Sequence, residues 1–132
     1  MAGEAILLVD DNPTNMKLLS FVLSSRGYDV REAVDAFHAM SILETFRPRM
    51  ILMDVQLPGM DGLELTRRLK ADERTRDIAI VAVTAYAMKG DEQKARDAGC
   101  DGYITKPVDT RALLRIVADC VRGDEGVPPS SP

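Results

Sequence analysis

Residues 51–62 read Ile51-Leu52-Met53-Asp54-Val55-Gln56-Leu57-Pro58-Gly59-Met60-Asp61-Gly62. The apolar run that begins at Met50 suits a strand covered on both faces, because a half-exposed strand alternates apolar and polar residues. It ends on a carboxylate, Asp54, and no basic residue follows until Arg67. Burial penalises an ionised carboxylate unless something nearby stabilises it. What surrounds Asp54 therefore decides what this chain can do. Pro58-Gly59 turns the chain away toward a helix beginning near Asp61.

Four more strand-like runs share the rhythm of Met50–Met53: Ala5–Val9, Tyr28–Glu32, Ile78–Val83 and Gly102–Thr105. Between and after them lie amphipathic segments at about Pro13–Ser25, Asp35–Phe46, Asp61–Ala71, Lys89–Ala98 and Asp109–Arg122. The last carries Leu113, Leu114, Val117, Cys120 and Val121 on one stripe, as a helix lying on a sheet does. Asn12-Pro13 reads as an N-cap and first-turn proline, and Gly27 and Gly99 stand where helix ends favour a left-handed residue. Strands alternating with helices imply an α/β fold, a five-stranded parallel sheet with helices on both faces. In such a sheet the ligand site lies beyond the carboxyl ends of the strands.

The chain has 132 residues, 45% of them hydrophobic, which suits one domain with one core. It carries 17 basic and 21 acidic residues with no basic block, which argues against nucleic acid as a direct ligand. Cys100 and Cys120 are too few for a disulfide framework and read as buried thiols in a reducing compartment. No apolar run approaches the ~18 residues of a membrane span. The expectation is a cytoplasmic protein without a membrane segment. The domain is expected over residues 1–122, with 123–132, rich in Pro, Gly and Ser, as a tail or the start of a linker.

The residues at the strand ends carry the functional argument. The first strand runs into Asp10-Asp11, the third into Asp54, the fourth into Thr84 and the fifth into Lys106. If these strands are neighbours, three carboxylates, a hydroxyl and an ammonium converge. Clustered carboxylates repel one another, and a hard divalent cation such as Mg²⁺, which takes oxygen ligands, resolves the repulsion. A carboxylate nucleophile, a metal, a cation and a hydroxyl donor together suit phosphoryl transfer. Each residue has a duller reading alone: Asp10 or Asp11 as a helix cap, Thr84 as a strand-end threonine, Lys106 as a surface lysine. Their joint placement is the signal.

With LLVDDNPTN at 7–15, ILMDVQLPGMDG at 51–62, VAVTAYA at 81–87 and AGCDGYITKP at 98–107, the chain resembles the receiver domain of two-component response regulators over about residues 4–122. The resemblance implies a flavodoxin-like strand order 2-1-3-4-5. It implies that Asp54 accepts a phosphoryl group from a phosphohistidine on a histidine kinase or histidine phosphotransfer protein. Asp10, Asp11, Asp54 and the backbone carbonyl of Gln56 would hold Mg²⁺ or Mn²⁺. Lys106 would pair with Asp54, Thr84 would turn its hydroxyl onto the phosphate, and Tyr103 would move from exposed to buried behind it. The Lys106–Pro107 bond would be cis. The output would be a protein partner on the face of the fourth helix, fifth strand and fifth helix, with the chain a monomer or a phosphorylation-linked dimer.

Other readings stay open at this level. A haloacid-dehalogenase-type hydrolase also uses a strand-end Asp, but places a second Asp where this chain has Gln56. A pseudo-receiver would bind partners without phosphorylation, usually lacking part of the set retained here. The Met-Ala-Gly start and short tail favour a stand-alone protein over a piece of a hybrid kinase. A kinase or phosphotransfer partner is expected over the first helix near Pro13–Met16. Tyr86 is expected beside the path of attacking water, and His38 is expected to be structural. The Lys89–Ala98 helix is expected to be the least firmly packed, and Lys70–Asp77 a solvated charged loop.

Overall fold

A computed structural model describes residues 4–84, 90–106 and 108–123. The strands are β1 (Ala5–Val9), β2 (Asp29–Ala33), β3 (Met50–Asp54), β4 (Ala79–Thr84) and β5 (Gly102–Thr105). The helices are α1 (Pro13–Ser24), α2 (Ala36–Ile42), α3 (Gly62–Ala71), α4 (Asp91–Ala98) and α5 (Thr110–Gly123). All strand pairs are parallel, in the order β2-β1-β3-β4-β5. This is the doubly wound arrangement with the order expected above. Tyr86, Pro107 and residues 124–132, on which three of the expectations fall, lie outside the described residues.

Every residue of β3 is buried. Successive side chains point to opposite faces, so both faces need a cover. Ile51 and Met53 join Leu7, Val9, Ile80 and Ala82 in a core closed by residues of α2, α3 and α4. Met50 and Leu52 join Ile6, Leu8, Val81 and Val83 in a second core that includes Met16 and Leu23 of α1 and Leu113 and Val117 of α5. Each fully buried side chain of this size contributes roughly 1.5–3 kcal/mol relative to exposure. That hydrophobic anchoring holds the strand ends at fixed heights, and it is what allows a costly polar cluster to be carried there.

The boundaries differ from the sequence reading in instructive places. β2 begins at Asp29 and ends on the buried Ala33, because it is an edge strand whose middle residues Arg31 and Glu32 remain exposed. α2 stops at Ile42, four residues short of Phe46, and its C-terminal residues form a turn before the buried Phe46. α1 is capped as expected: the Asn12 side chain accepts from the Thr14 and Asn15 backbone N–H groups, and proline stands in the first turn.

Lys70–Asp77 is solvated at Ala71, Glu73, Arg74, Arg76 and Asp77, as expected, but Lys70 and Thr75 are tied into the fold. Lys70 Nζ donates to the carbonyls of Arg76 (3.1 Å) and Ile78 (2.8 Å) and to Asp101 Oδ2 (2.9 Å). Thr75 is buried, its hydroxyl donating to the Leu69 carbonyl at 2.6 Å. The lysine stem also fills the space beside Gly99, where a Cβ would come within 2.8 Å of Lys70 Cγ. Gly99 has φ 109°, a left-handed conformation that glycine adopts without strain. Charge alone suggested solvation; three acceptors placed by tertiary structure captured the ammonium instead.

Candidate functional site

The site is built at the carboxyl ends of β1, β3, β4 and β5. Asp54 is the last residue of β3, aligned with Val83 of β4, and Thr84 is the last residue of β4, aligned with Thr105 of β5. Asp10 follows β1, and its backbone N–H donates to the Ala33 carbonyl at 3.1 Å. Lys106 follows β5, held by its backbone N–H on the Thr84 carbonyl at 2.7 Å. These backbone bonds fix where each side chain starts, and the parallel register then brings together residues up to 96 positions apart in sequence.

Asp10 and Asp54 are each 5% exposed and Thr84 is 4% exposed, whereas Asp11 faces solvent. One carboxylate oxygen from each of Asp10, Asp11 and Asp54 lies within 4.8 Å of the others. Lys106 Nζ stands 3.3 Å from Asp54 Oδ2 and 3.8 Å from Asp10 Oδ2. The other oxygens are oriented by backbone donors, Asn12 N–H to Asp10 Oδ1 at 2.8 Å and Gln56 N–H to Asp54 Oδ1 at 3.0 Å. Both bonds span two residues, the local side-chain-to-backbone turn that aspartate favours at the end of an element.

Among the described residues the site is short of positive charge, with one ammonium serving two buried carboxylates and a third at the rim. Burial raises the Asp10 pKa, and the Asp54 charge adds to that, while the Asn12 N–H and the Lys106 ammonium pull it back. A hard cation bound by carboxylate oxygens is the chemical complement of such a set. The donors are all oxygen and the spacing is compact, so these residues fit Mg²⁺.

Gly62 is a contributor that the sequence reading missed. A Cβ at this position would collide with the Asp54 carbonyl oxygen and crowd Met53 and Val55. Its N–H donates to the Val55 carbonyl at 2.9 Å. The absence of a side chain lets the first turn of α3 seat against the Asp54 backbone. The signal available was the second glycine of Pro58-Gly59-Met60-Asp61-Gly62, whose role differs from that of Gly59 in the turn.

Tyr103 departs from expectation. It was expected to start exposed, yet it is half-buried here, its side chain packs against the core that α3 and α4 help close, and its hydroxyl oxygen is buried without a hydrogen-bond partner among the described residues. Burial and the neighbouring Asp91 and Glu92 carboxylates raise its pKa. A cavity of about 330 Å³ is lined by both Tyr103 and Thr84, together with Gln56, Asp61 and Lys94. α4 buries only Ala95 and Ala98, and Gly90 at its N-terminus provides no side-chain cap, but α2 likewise buries only Ala36 and Ala39, so α4 is not set apart as the least firmly packed helix. His38 is local structure, its Nδ1 accepting from Val34 N–H while its own N–H donates to Asp35.

Comparison with known proteins agrees with this geometry. Residues 6–118 match the response regulator receiver domain family. The polar-differentiation response regulator DivK of Brucella anthropi is 40% identical over 114 residues, covering 86% of this chain and 93% of that protein. The receiver domain of the Pseudomonas aeruginosa sensor histidine kinase PA1611, solved with a magnesium ion in its active site cleft, is 39% identical with a TM-score of 0.83, covering 91% of this chain and 98% of its own. A receiver domain of a histidine kinase from Syntrophus aciditrophicus is 30% identical with a TM-score of 0.87, covering 96% of each chain. By sequence, strand order and the placement of its carboxylates, this chain belongs to the response regulator receiver domain family.

Proposed function

We propose that this receiver takes a phosphoryl group onto Asp54 from a phosphohistidine and passes the signal on through protein contact. The observation that carries the proposal is the Asp54 carboxylate at the end of a wholly buried strand, with the Lys106 ammonium 3.3 Å away and Asp10 and Asp11 beside it. In the transfer, an Asp54 oxygen forms the new P–O bond as the P–N bond to the donor imidazole breaks, and the imidazole leaves with the bonding pair. Gln56 N–H holds the carboxylate in place for attack. Asp10, Asp11, Asp54 and the Gln56 carbonyl would hold Mg²⁺. When bound, the ion supplies positive charge against the phosphoryl oxygens.

Lys106 is within reach of both Asp54 and Asp10, so it can follow the developing negative charge from the carboxylate to the phosphoryl group. The phosphoryl group brings about −1.5 to −2 charge and three acceptor oxygens. Thr84 would donate its hydroxyl to one of them, and the rearrangement would pass through the cavity lined by Thr84 and Tyr103 to α4, which buries only Ala95 and Ala98. The α4–β5–α5 face would then present a different surface to a protein partner. The input partner would be a histidine kinase or histidine phosphotransfer protein.

Incubating the chain with acetyl phosphate and Mg²⁺, then measuring the mass of the intact protein, tests this reading. The expected result is one added phosphoryl group in the wild type and none in Asp54→Asn. Equal labelling of the two proteins, or none in either, would overturn it.

A further inference from the structure

The opposite end of the sheet carries a second concavity of about 950 Å³, between the loops that lead into β3, β4 and β5 and the C-terminal half of α5. Its floor is apolar, formed by Pro48, Ile78, Ile116 and Cys120, and its rim sets five basic side chains against the carboxylates of Asp77, Asp101 and Asp119. Arg47 and Arg49 come from the loop before β3, and Arg74 and Arg76 from the loop before β4. Some of this charge is committed: Lys70 to Asp101, Arg74 to Asp72, and Arg49 to the Val121 carbonyl at 3.2 Å. Arg47 donates to the Leu43 carbonyl, but among the described residues neither it nor Arg76 forms an ion pair with a carboxylate. A cationic hollow on a chain with net charge −4 runs against the overall balance.

We propose that this cleft binds a small organic phosphate with a planar apolar body, the chemistry of a mononucleotide. Guanidinium groups match phosphate oxygens in bidentate geometry and are weakly hydrated, so a pair of exposed ones favours a phosphate over a diffuse counterion. The apolar floor offers a surface for a planar ring, which inorganic phosphate cannot use. The volume lies near the upper end of small-ligand sites, roughly 300–1,000 Å³, and a concave site of this kind suits a compact ligand better than a flat protein surface. The cleft shares no side chain with the Asp54 site, so it can be tested without disturbing phosphorylation.

Calorimetric titration of the full chain with AMP, adenosine and inorganic phosphate decides the matter. AMP should bind saturably, with adenosine and phosphate each weaker by at least about tenfold, and AMP affinity should fall as salt rises. Amide shifts on AMP addition should map to residues 47–49 and 76–79. Arg47→Gln with Arg76→Gln should weaken AMP at least about tenfold while melting temperature and Asp54 phosphorylation stay unchanged; Arg76→Gln alone serves if the pair fails to fold. Absence of saturable AMP binding, equal binding of phosphate, shifts confined to the Asp54 end, or full affinity in the variant would each overturn the proposal.

Discussion

The two ends of the sheet use the same residue types to opposite effect. At the amino end, Lys70 meets one carboxylate, Asp101, at 2.9 Å, and two carbonyls take its remaining hydrogen bonds. Asp101 Oδ2 in turn accepts from Ile80 N–H at 2.9 Å. An ammonium has three donors and here has three acceptors, so the group is satisfied. At the carboxyl end, Lys106 faces two carboxylates at 3.3 and 3.8 Å, with Asp11 near by. That cluster carries excess negative charge and looser contacts. Lysine–aspartate pairing by itself signals neither structure nor chemistry; stoichiometry and burial separate them. A satisfied pair closes a fold, and an unsatisfied one is ready for a ligand.

The largest expected effect separates the two aspartates. Asp54→Asn should lower phosphoryl incorporation from acetyl phosphate by at least ~10²-fold, because the nucleophile is lost. Asp101→Asn should leave incorporation near the wild-type level while lowering stability. Labelling lost equally in both would erase the distinction between the ends.

Next come the lysines. Lys70→Met should destabilise the chain by about 1–2 kcal/mol, chiefly because it leaves the part-buried Ile78 carbonyl without its donor, while solvent takes over at the exposed Arg76 carbonyl and Asp101. Lys106→Met also removes a cation from buried carboxylates, but saturating Mg²⁺ should restore most of its loss and none of that of Lys70→Met. Urea denaturation of both variants, with and without Mg²⁺, makes the comparison, and equal rescue would contradict it.

The ends should also differ in their pH windows. Burial, reinforced by Asp101 and Asp119, pushes the Cys120 thiol from 9.0 up to about 11. Folded and unfolded chains both hold that proton below pH 9, so the stability it supports is intact there and is lost as pH rises from about 9 through 11. Cys120→Ala should flatten that alkaline decline by about 1–2 kcal/mol, as read by denaturation at successive pH values. An unchanged slope would show that Cys120 does not titrate in this way.

The smallest effect is a gain in stability. Burial and the Asp54 charge raise the Asp10 pKa, so the stability associated with its protonated form is present at acid pH and lost as pH rises through that value. Asp10→Asn should therefore raise the stability of the Mg²⁺-free chain at pH 7, and should reduce the further gain on adding Mg²⁺. A destabilised Asp10→Asn chain would mean that Asp10 is held as firmly as Asp101.

Much of the carboxyl end was legible because strand-end residues are marked by local pattern. A run such as Met50-Ile51-Leu52-Met53 shows where a buried strand finishes, and the next polar residue is the one it presents. The Asn12 cap and the scarcity of large apolar residues in α4 were legible for the same reason, since caps and apolar stripes are properties of a few consecutive residues. The early end of α2 was not, because Leu43 and Phe46 extend the apolar pattern whether or not the helix continues through them.

What the sequence by itself determined is the alternation of elements, the two-sided burial of the central strands and the set of polar residues at their ends, all fixed by short-range periodicity. What only the tertiary structure decided is who meets whom. Lys70 and Asp101 lie 31 residues apart and join because α3 and β5 leave their ends side by side. Gly62 matters because α3 approaches the Asp54 backbone, and Tyr103 is half-buried because the core beneath α3 and α4 has room for its ring. Local pattern fixes where a side chain begins and which face it takes; its partners depend on packing between segments that are distant in the chain.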